Sequence, residues 1–151
     1  MKILLQVILL SVLSPIALPA YSSEHSGSQG FPYKTGDPST WPPEQDAVSI
    51  APENHTVLLE NESVRVLAVK VAPLEREKVH HHRWPSVLYI MEAGDFIDRD
   101  ANGNVIFDSR ELDTPLSYPL TMWKDPEAPH SVENLSSTTT IRLIRVEMKS
   151  Q

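Results

Sequence analysis

Apolar residues that recur with period two, from Asn54 to near the C-terminal end, restrict the fold of this chain more than any other feature. Short runs rich in Val, Leu and Ile alternate with segments that contain Asn, Asp, Gly or Pro. Successive side chains of a strand point to opposite faces, so this pattern is typical of β-strands with one buried face. No segment has a convincing helical period. About eight short strands joined by turns therefore predict an all-β sandwich or barrel.

Several strands carry details that the structure can test. In residues 63–71 the apolar side chains change face midway, which indicates a bulge or a strand covered on both faces. Asn102-Gly103 predicts a tight hairpin before a strand at residues 104–108. Pro119 places the predicted strand at residues 116–123 at a sheet edge or a bulge. We interpret residues 124–129 as a loop, followed by strands at residues 131–135 and 138–148.

Three consecutive histidines, His80-His81-His82, stand just before the β-prone run Ser86–Glu92. If they are extended, His80 and His82 share one face and can bind one metal ion, while His81 faces solvent or a supporting residue. In the following run, Tyr89 and Met91 share a face with Val87. They are predicted either to line a cavity or to belong to the core.

The order of the strands and two short motifs resemble the cupin family. His80-His81-His82 supplies the His-x-His of the first cupin motif, and Gly94 stands at its final glycine. His130 and Asn134 match the His, three residues, Asn of the second motif. The first motif's glutamate position falls on Ser86 or Val87, and its leading glycine position holds Leu74. The Pro-x-Gly of the second motif is absent.

The resemblance implies a cupin-type jelly-roll β-barrel over residues 52–151, with a metal site formed by His80, His82 and His130. Three neutral imidazoles suit a divalent transition metal, namely Fe, Zn, Ni, Cu or Mn. A metal-dependent oxygenase or isomerase that acts on a small molecule is one function of such a barrel. The alternative is a non-catalytic cupin module that binds a ligand without metal, because one fold hosts many functions.

The N-terminal residues have the pattern of an export signal. Lys2 precedes an apolar run at residues 3–13, and Ala20-Tyr21-Ser22 offers small residues at the cleavage positions. This predicts a signal peptide at residues 1–22, a periplasmic or secreted protein, and no membrane attachment after cleavage. An uncleaved membrane anchor is the alternative.

Residues 23–51 are rich in Ser and Pro and predict a flexible leader followed by an extended arm. Aromatic side chains such as Trp41 would let the arm lie on the barrel or on a neighbouring subunit; a mobile linker is the alternative. Edge strands and this arm predict a homodimer. The net charge of −7 argues against a nucleic-acid partner, and the absence of cysteine excludes disulfides and thiolate nucleophiles.

One further pattern concerns asparagine. Asn54-His55-Thr56, Asn61-Glu62-Ser63 and Asn134-Leu135-Ser136 match the glycosylation triplet. The triplet has meaning only in a eukaryotic secretory pathway, and Asn134 is better explained as the cupin asparagine.

Overall fold

The computed structural model describes residues 36–149, so the predicted signal peptide and residues 23–35 of the predicted leader and arm lie outside the described residues. A short helix, α1 (Ala47–Ile50), precedes the strands. The nine strands are β1 (His55–Glu60), β2 (Val64–Val71), β3 (His80–His82), β4 (Ser86–Glu92), β5 (Phe96–Asp100), β6 (Val105–Asp108), β7 (Leu120–Lys124), β8 (Glu127–Asn134) and β9 (Ile141–Met148). Single 3₁₀ turns cover Pro38–Thr40, Pro43–Gln45 and Ser109–Glu111.

The strands form two antiparallel sheets. The first has the order β1-β2-β9-β4-β7, and the second has the order β3-β8-β5-β6. Residues from both sheets line one internal cavity, so the sheets enclose a common interior. This is the predicted all-β jelly-roll arrangement, with β7 at the sheet edge that Pro119 indicated.

The pattern of β2 has a different cause from either one predicted. Its pairing with β9 runs without a break from Val64 to Val71, so the predicted bulge is wrong for this strand. Arg65 is buried on the same face as Leu67 and Val71, and the apolar pattern changes because a charged residue takes an inward position. The bulge of this sheet lies in β1 instead, between Val57 and Leu59.

The two faces of β4 test the roles predicted for Tyr89 and Met91, in the cavity wall or in the core. Leu88 and Ile90 are buried, whereas Tyr89 and Met91 are 45% and 43% exposed. Tyr89 and Met91 therefore belong neither to the core nor to the cavity wall, and that prediction is wrong. They lie on the outside of the first sheet because strand side chains alternate.

The strands predicted for the second half of the barrel form, but some of them begin at other residues than predicted. The turn before β6 forms as predicted: Gly103 has φ +86°, and its N–H donates to the Asp100 carbonyl. Strand β7 starts only at Leu120, after Pro119. Strand β8 starts at Glu127, so the loop predicted at residues 124–129 is too long.

Two residues of the cupin motifs hold the end of the barrel together. A Cβ atom at Gly94 would lie 2.5 Å from the Ser136 Cβ, so only glycine fits there. Asn134 is 1% exposed, and its amide donates to three backbone carbonyls, those of Val71, Ala72 and Thr139. Burial also makes Asn134 unsuitable as a glycosylation site.

The part of the arm that the structure describes lies on the barrel. Trp41 is 8% exposed and packs against the His81 ring, with centroids 5.4 Å apart. Arg83 donates to the Trp41 carbonyl, and Asp46 pairs with Arg65. Within residues 36–149, no helix is long and apolar enough to cross a bilayer.

Candidate metal centre

Four histidine rings meet inside the barrel. His80 and His82 come from β3, His130 from β8 and His55 from the start of β1. The ring centroid of His80 lies 4.6 Å from His55, 5.0 Å from His82 and 4.8 Å from His130. All four residues are at most 3% exposed and line the cavity. Buried imidazoles gathered in this way are a candidate metal centre.

The strand geometry of β3 separates His81 from this cluster, as the sequence predicted. The His81 Nε2 lies 2.8 Å from the Pro42 carbonyl, and its ring contacts Trp41 of the arm. The residue is completely buried, so the expectation of a solvent-facing side chain is wrong. The arm covers it instead.

Hydrogen bonds show that Nδ1 carries a proton in each of the four clustered rings. The Nδ1 atoms of His55, His80 and His130 lie 2.8–3.2 Å from backbone carbonyls, those of Ala51, Lys78 and Ala128. The Nδ1 of His82 lies 2.7 Å from Glu147 Oε1. Carbonyl and carboxylate oxygens accept, so each Nδ1 donates a proton.

In a neutral imidazole this leaves Nε2 with the free electron pair. Metal-binding histidines almost always make the same Nδ1–H bond to a carbonyl or carboxylate, which orients the ring and strengthens the donor nitrogen. The donor set therefore fits a divalent transition metal.

The distances between potential ligand atoms define two groups in the described residues. In the first, atoms of His55, His80 and His82 lie within 4.8 Å of one another; His130 belongs to a second such group with Asp98 and Glu127. The sequence-predicted ligands His80, His82 and His130 are therefore neighbours around one cavity. The exact set, with His55 or with His130 as the third ligand, stays a prediction.

Burial keeps the first group neutral. Desolvation lowers the pKa of His55 to about 4, even though its bond to the Ala51 carbonyl acts in the opposite direction. Burial also lowers the pKa of His80 and His82 well below 6.5, and the charge of Arg145 contributes to the shift at His82. Neutral imidazole is the form that binds metal, so protons do not compete for these rings near pH 7.

The cavity beside the histidines has a volume of about 270 Å³ and a largely apolar wall. Besides the four histidines, this wall includes Val69, Val71, Leu88, Ile90, Phe96, Phe107, Leu112, Leu116, Met122, Val132, Ile141 and Leu143. A space of this size and character is suited to a small molecule with an apolar body.

Charged residues of the wall are mostly neutralised by one another. Arg145 donates to Glu127 at 2.6 Å, and Lys124 lies 3.0 Å from the same carboxylate. Burial alone would raise the pKa of Glu127, but these two cations outweigh it and hold the pKa well below its ordinary value. Glu77 differs, because burial raises its pKa to about 8 and it carries a proton at neutral pH.

The glutamate position of the first cupin motif, which falls on Ser86 or Val87, holds no acidic residue. Ser86 is fully buried, and its hydroxyl accepts from Arg145 Nε at 3.0 Å. Val87 points out of the barrel, at the position that pairs with Trp123 on β7. The motif therefore supplies no carboxylate ligand, as its sequence indicated.

Sequence reasoning missed His55 and Glu147. His55 attracted notice only as the middle residue of a glycosylation triplet, because the sequence predicted the first strand at residues 56–60 and the structure starts it at His55. Continuing the alternation of β1 backwards from Val57 places His55 on the inward face, and this was the available signal. Glu147 follows in the same way, since it shares the inward face of β9 with Ile141 and Arg145.

Solved structures that are similar to this chain include the following three. A cupin domain from Bordetella pertussis Tohama I is similar to this chain with 22% identity and a TM-score of 0.51, covering 64% of this chain and 92% of its own. An RmlC-like cupin family protein with a double-stranded β-helix fold from Methanocaldococcus jannaschii has 12% identity, a TM-score of 0.46, and coverages of 62% and 77%. The polyketide cyclase RemF from Streptomyces resistomycificus has 15% identity, a TM-score of 0.44, and 64% coverage of each chain.

No family model and no curated protein sequence matches the chain at a significant level. The first of these structures, together with the two antiparallel sheets, shows that the protein has the cupin fold. The resemblance inferred from the two histidine motifs is confirmed at that level.

Proposed function

We propose that the protein binds a divalent transition metal through His55, His80 and His82 and holds a small molecule in the adjoining cavity. This proposal rests mainly on the hydrogen bonds of the three buried rings. Each ring donates its Nδ1 proton to an oxygen, which leaves the electron pair of Nε2 for a metal ion. A metal held by three imidazoles keeps open coordination positions and supplies Lewis acidity to a bound ligand.

The surrounding residues have their own tasks in this proposal. The apolar wall excludes water from the ligand and selects an apolar body of limited size. Glu127 forms ion pairs with Arg145 and Lys124. The cavity wall therefore holds these charged side chains without burying an unpaired charge. The neutral Glu77 can donate a hydrogen bond to an oxygen of the ligand.

Metal analysis of the purified protein tests the proposal. We expect close to one bound transition-metal ion per chain after purification and dialysis. A redox-active metal would favour an oxygenase or isomerase. Protein that takes up no Fe²⁺, Co²⁺, Ni²⁺, Cu²⁺ or Zn²⁺ at micromolar concentrations would contradict it, and the second candidate, a non-catalytic cupin module, would remain.

The first prediction concerns pH. Since the pKa of His55 is lowered to about 4 and those of His80 and His82 are also depressed, the rings stay neutral well below 6.5. We therefore expect bound metal to be retained at pH 5.5 and lost only as the pH falls towards about 4, where protons compete for Nε2. Metal content after dialysis at stepped pH measures this. Half-loss near pH 6.5, the ordinary imidazole value, would contradict it.

We also propose that the protein is a homodimer formed through the outer face of the first sheet. Five outward residues lie in register across all five strands, in the order Leu59, Val66, Val146, Val87 and Trp123. Leu59 and Trp123 are 49% and 50% exposed. A continuous apolar row of this width is unusual for a surface that only meets water.

The second prediction tests this face. We expect Val146→Lys to convert the dimer into a monomer, because a charge would lie at the centre of the apolar row. Val105→Lys is the matched control, since Val105 is 50% exposed but belongs to the other sheet. Light scattering at about 100 µM gives the mass of each variant. A monomeric parent protein contradicts the dimer, and a dimeric Val146→Lys variant contradicts the face.

Export is a further part of the proposal, supported by Lys2, the apolar run at residues 3–13 and the small residues at Ala20–Ser22. The third prediction is a mature periplasmic or secreted chain that begins between Tyr21 and Glu24. N-terminal sequencing of the protein from the periplasm or culture medium measures the cleavage point. Recovery of chains that start at Met1 in the membrane fraction would contradict cleavage.

A further inference from the structure

The segment Asp37–Ala51, which precedes the barrel, contacts the metal-binding strand from its outer side. Trp41 packs on His81 and accepts a hydrogen bond from Arg83 at its carbonyl oxygen. The Pro42 carbonyl lies 2.8 Å from His81 Nε2, and Asp46 forms a parallel bridge with the same histidine. The segment therefore holds the residues on either side of His82.

The same segment reaches one candidate ligand directly. The carbonyl of Ala51, the residue that ends α1, accepts from His55 Nδ1 at 3.2 Å. Ala51 is completely buried, so this carbonyl has a fixed position. Asp46 holds the other end of the same helix, where its carboxylate accepts from the Val48 N–H at 3.2 Å.

A second connection runs from Asp46 to His82 through two buried side chains. Arg65 donates to both carboxylate oxygens of Asp46, at 2.9 and 3.1 Å. Its Nε donates to Glu147 Oε2 at 2.5 Å, and Glu147 Oε1 accepts from His82 Nδ1 at 2.7 Å. Arg65 and Glu147 are also direct cross-strand partners on β2 and β9.

The chemistry of the guanidinium makes this connection directional. It is planar and presents its donors in a rigid fork, so the two bonds to Asp46 determine the plane in which Nε meets Glu147. Glu147 in turn sets the direction of the His82 Nδ1–H bond. Lys could not replace Arg65 in this role, because an ammonium has no such fork.

We propose that the segment Asp37–Ala51 positions the metal centre, orienting His55 through the Ala51 carbonyl and His82 through Asp46, Arg65 and Glu147. Asp46 and Arg65 are thus positioning residues rather than ligands. The effect on metal affinity rests on the proposed function given above, whereas the orientation of the two rings exists in the metal-free protein as well.

Asp46→Asn in the full chain tests this inference. Asparagine has the same size but offers one acceptor oxygen instead of two, so one of the two bonds from Arg65 is lost. Asp37→Asn is the matched control: it removes the same charge from the same segment, at a cap where Asp37 accepts from the exposed Ser39 N–H. Both variants are compared with the parent protein.

Two measurements separate positioning from general destabilisation. In metal-free protein, long-range ¹H–¹⁵N NMR follows the Nδ1 protons of His82 and His55. We expect Asp46→Asn to change the chemical shift of the His82 Nδ1 proton and to speed the exchange of this proton with solvent. The His55 Nδ1 proton, which is hydrogen-bonded to the Ala51 carbonyl, should keep its chemical shift and exchange rate nearly unchanged. In a Co²⁺ titration followed by visible absorption, we expect affinity to fall about 10-fold or more, within the range for lost support of a ligand.

Asp37→Asn should leave the His82 proton unchanged and the Co²⁺ affinity within about two-fold of the parent. An Asp46→Asn variant that matches Asp37→Asn in both measurements overturns the inference. If Asp46→Asn does not fold, Arg65→Lys tests the same connection with the same expected result. If the parent protein binds no Co²⁺, the proposed function fails, and the NMR comparison still decides whether the segment orients His82.

Discussion

His82→Ala is expected to abolish stoichiometric metal binding, whereas His81→Ala leaves most of it in place. His82 contributes a buried Nε2 to the cluster, and its Nδ1 is held by Glu147. Loss of one of three ligands should weaken affinity by more than about 100-fold, the upper end of the range for outer-shell changes. His81 lies on the opposite face of the same strand and contacts the arm. Equilibrium dialysis against Zn²⁺ with metal analysis measures both variants.

His81→Ala is the matched control because it removes the same side chain from a neighbouring, equally buried position. A His82→Ala variant that still holds one equivalent of Zn²⁺ would contradict the metal centre. Circular dichroism checks that both variants keep the β-structure. His82 lies at the cavity wall, so we expect the His82→Ala variant to fold.

The third ligand is decided by a second pair of variants. The distances place His55 with His80 and His82, while the sequence motif assigned that role to His130. We expect His55→Ala to lose the metal and His130→Ala to retain one equivalent at saturating Zn²⁺. The reverse result would restore the ligand set that the sequence predicted.

The barrel was predictable because alternation and turn chemistry are local. Asn102-Gly103 formed its hairpin. Prediction failed in β4, where apolar residues occupy both faces and Tyr89 and Met91 were assigned to the wrong one. It also failed in β2, where an inward position holds a charged side chain. Arg65 made β2 look irregular, since a single sequence does not show that Asp46 and Glu147, 19 residues before and 82 residues after it, neutralise the guanidinium.

The candidate site was predictable only as far as its motifs reach. His80 and His82 follow from the two-residue period, and His130 followed from the cupin resemblance. His55 and Glu147 have no motif. Local alternation gives the strand face of each residue, but the groups that each one meets depend on the pairing of β1 and β9 with β2, which is a long-range contact. The contacts between the arm and the histidines could not be predicted either, because they also join residues that are far apart in the sequence.

Asn134→Ala is expected to destabilise the protein by about 2–4 kcal/mol, with little change in a metal site that it does not touch. The buried amide donates to the carbonyls of Val71, Ala72 and Thr139 at 2.9–3.0 Å. Its oxygen accepts from the Ser136 N–H at 3.0 Å. Alanine would leave these backbone groups without their partner, and a buried polar group without one is costly. Urea unfolding followed by fluorescence gives the midpoint.

Asn104→Ala is the control for this prediction. Asn104 is exposed in the turn before β6, where its amide donates to Asp100 at 2.9 Å. Water can replace that bond, so we expect a loss below about 1 kcal/mol. Equal shifts of the two unfolding midpoints would show that Asn134 does not hold the loops together. A larger loss at Asn134 would show that this asparagine stabilises the fold by tying the loops after β2 and β8 together, whether or not metal is bound.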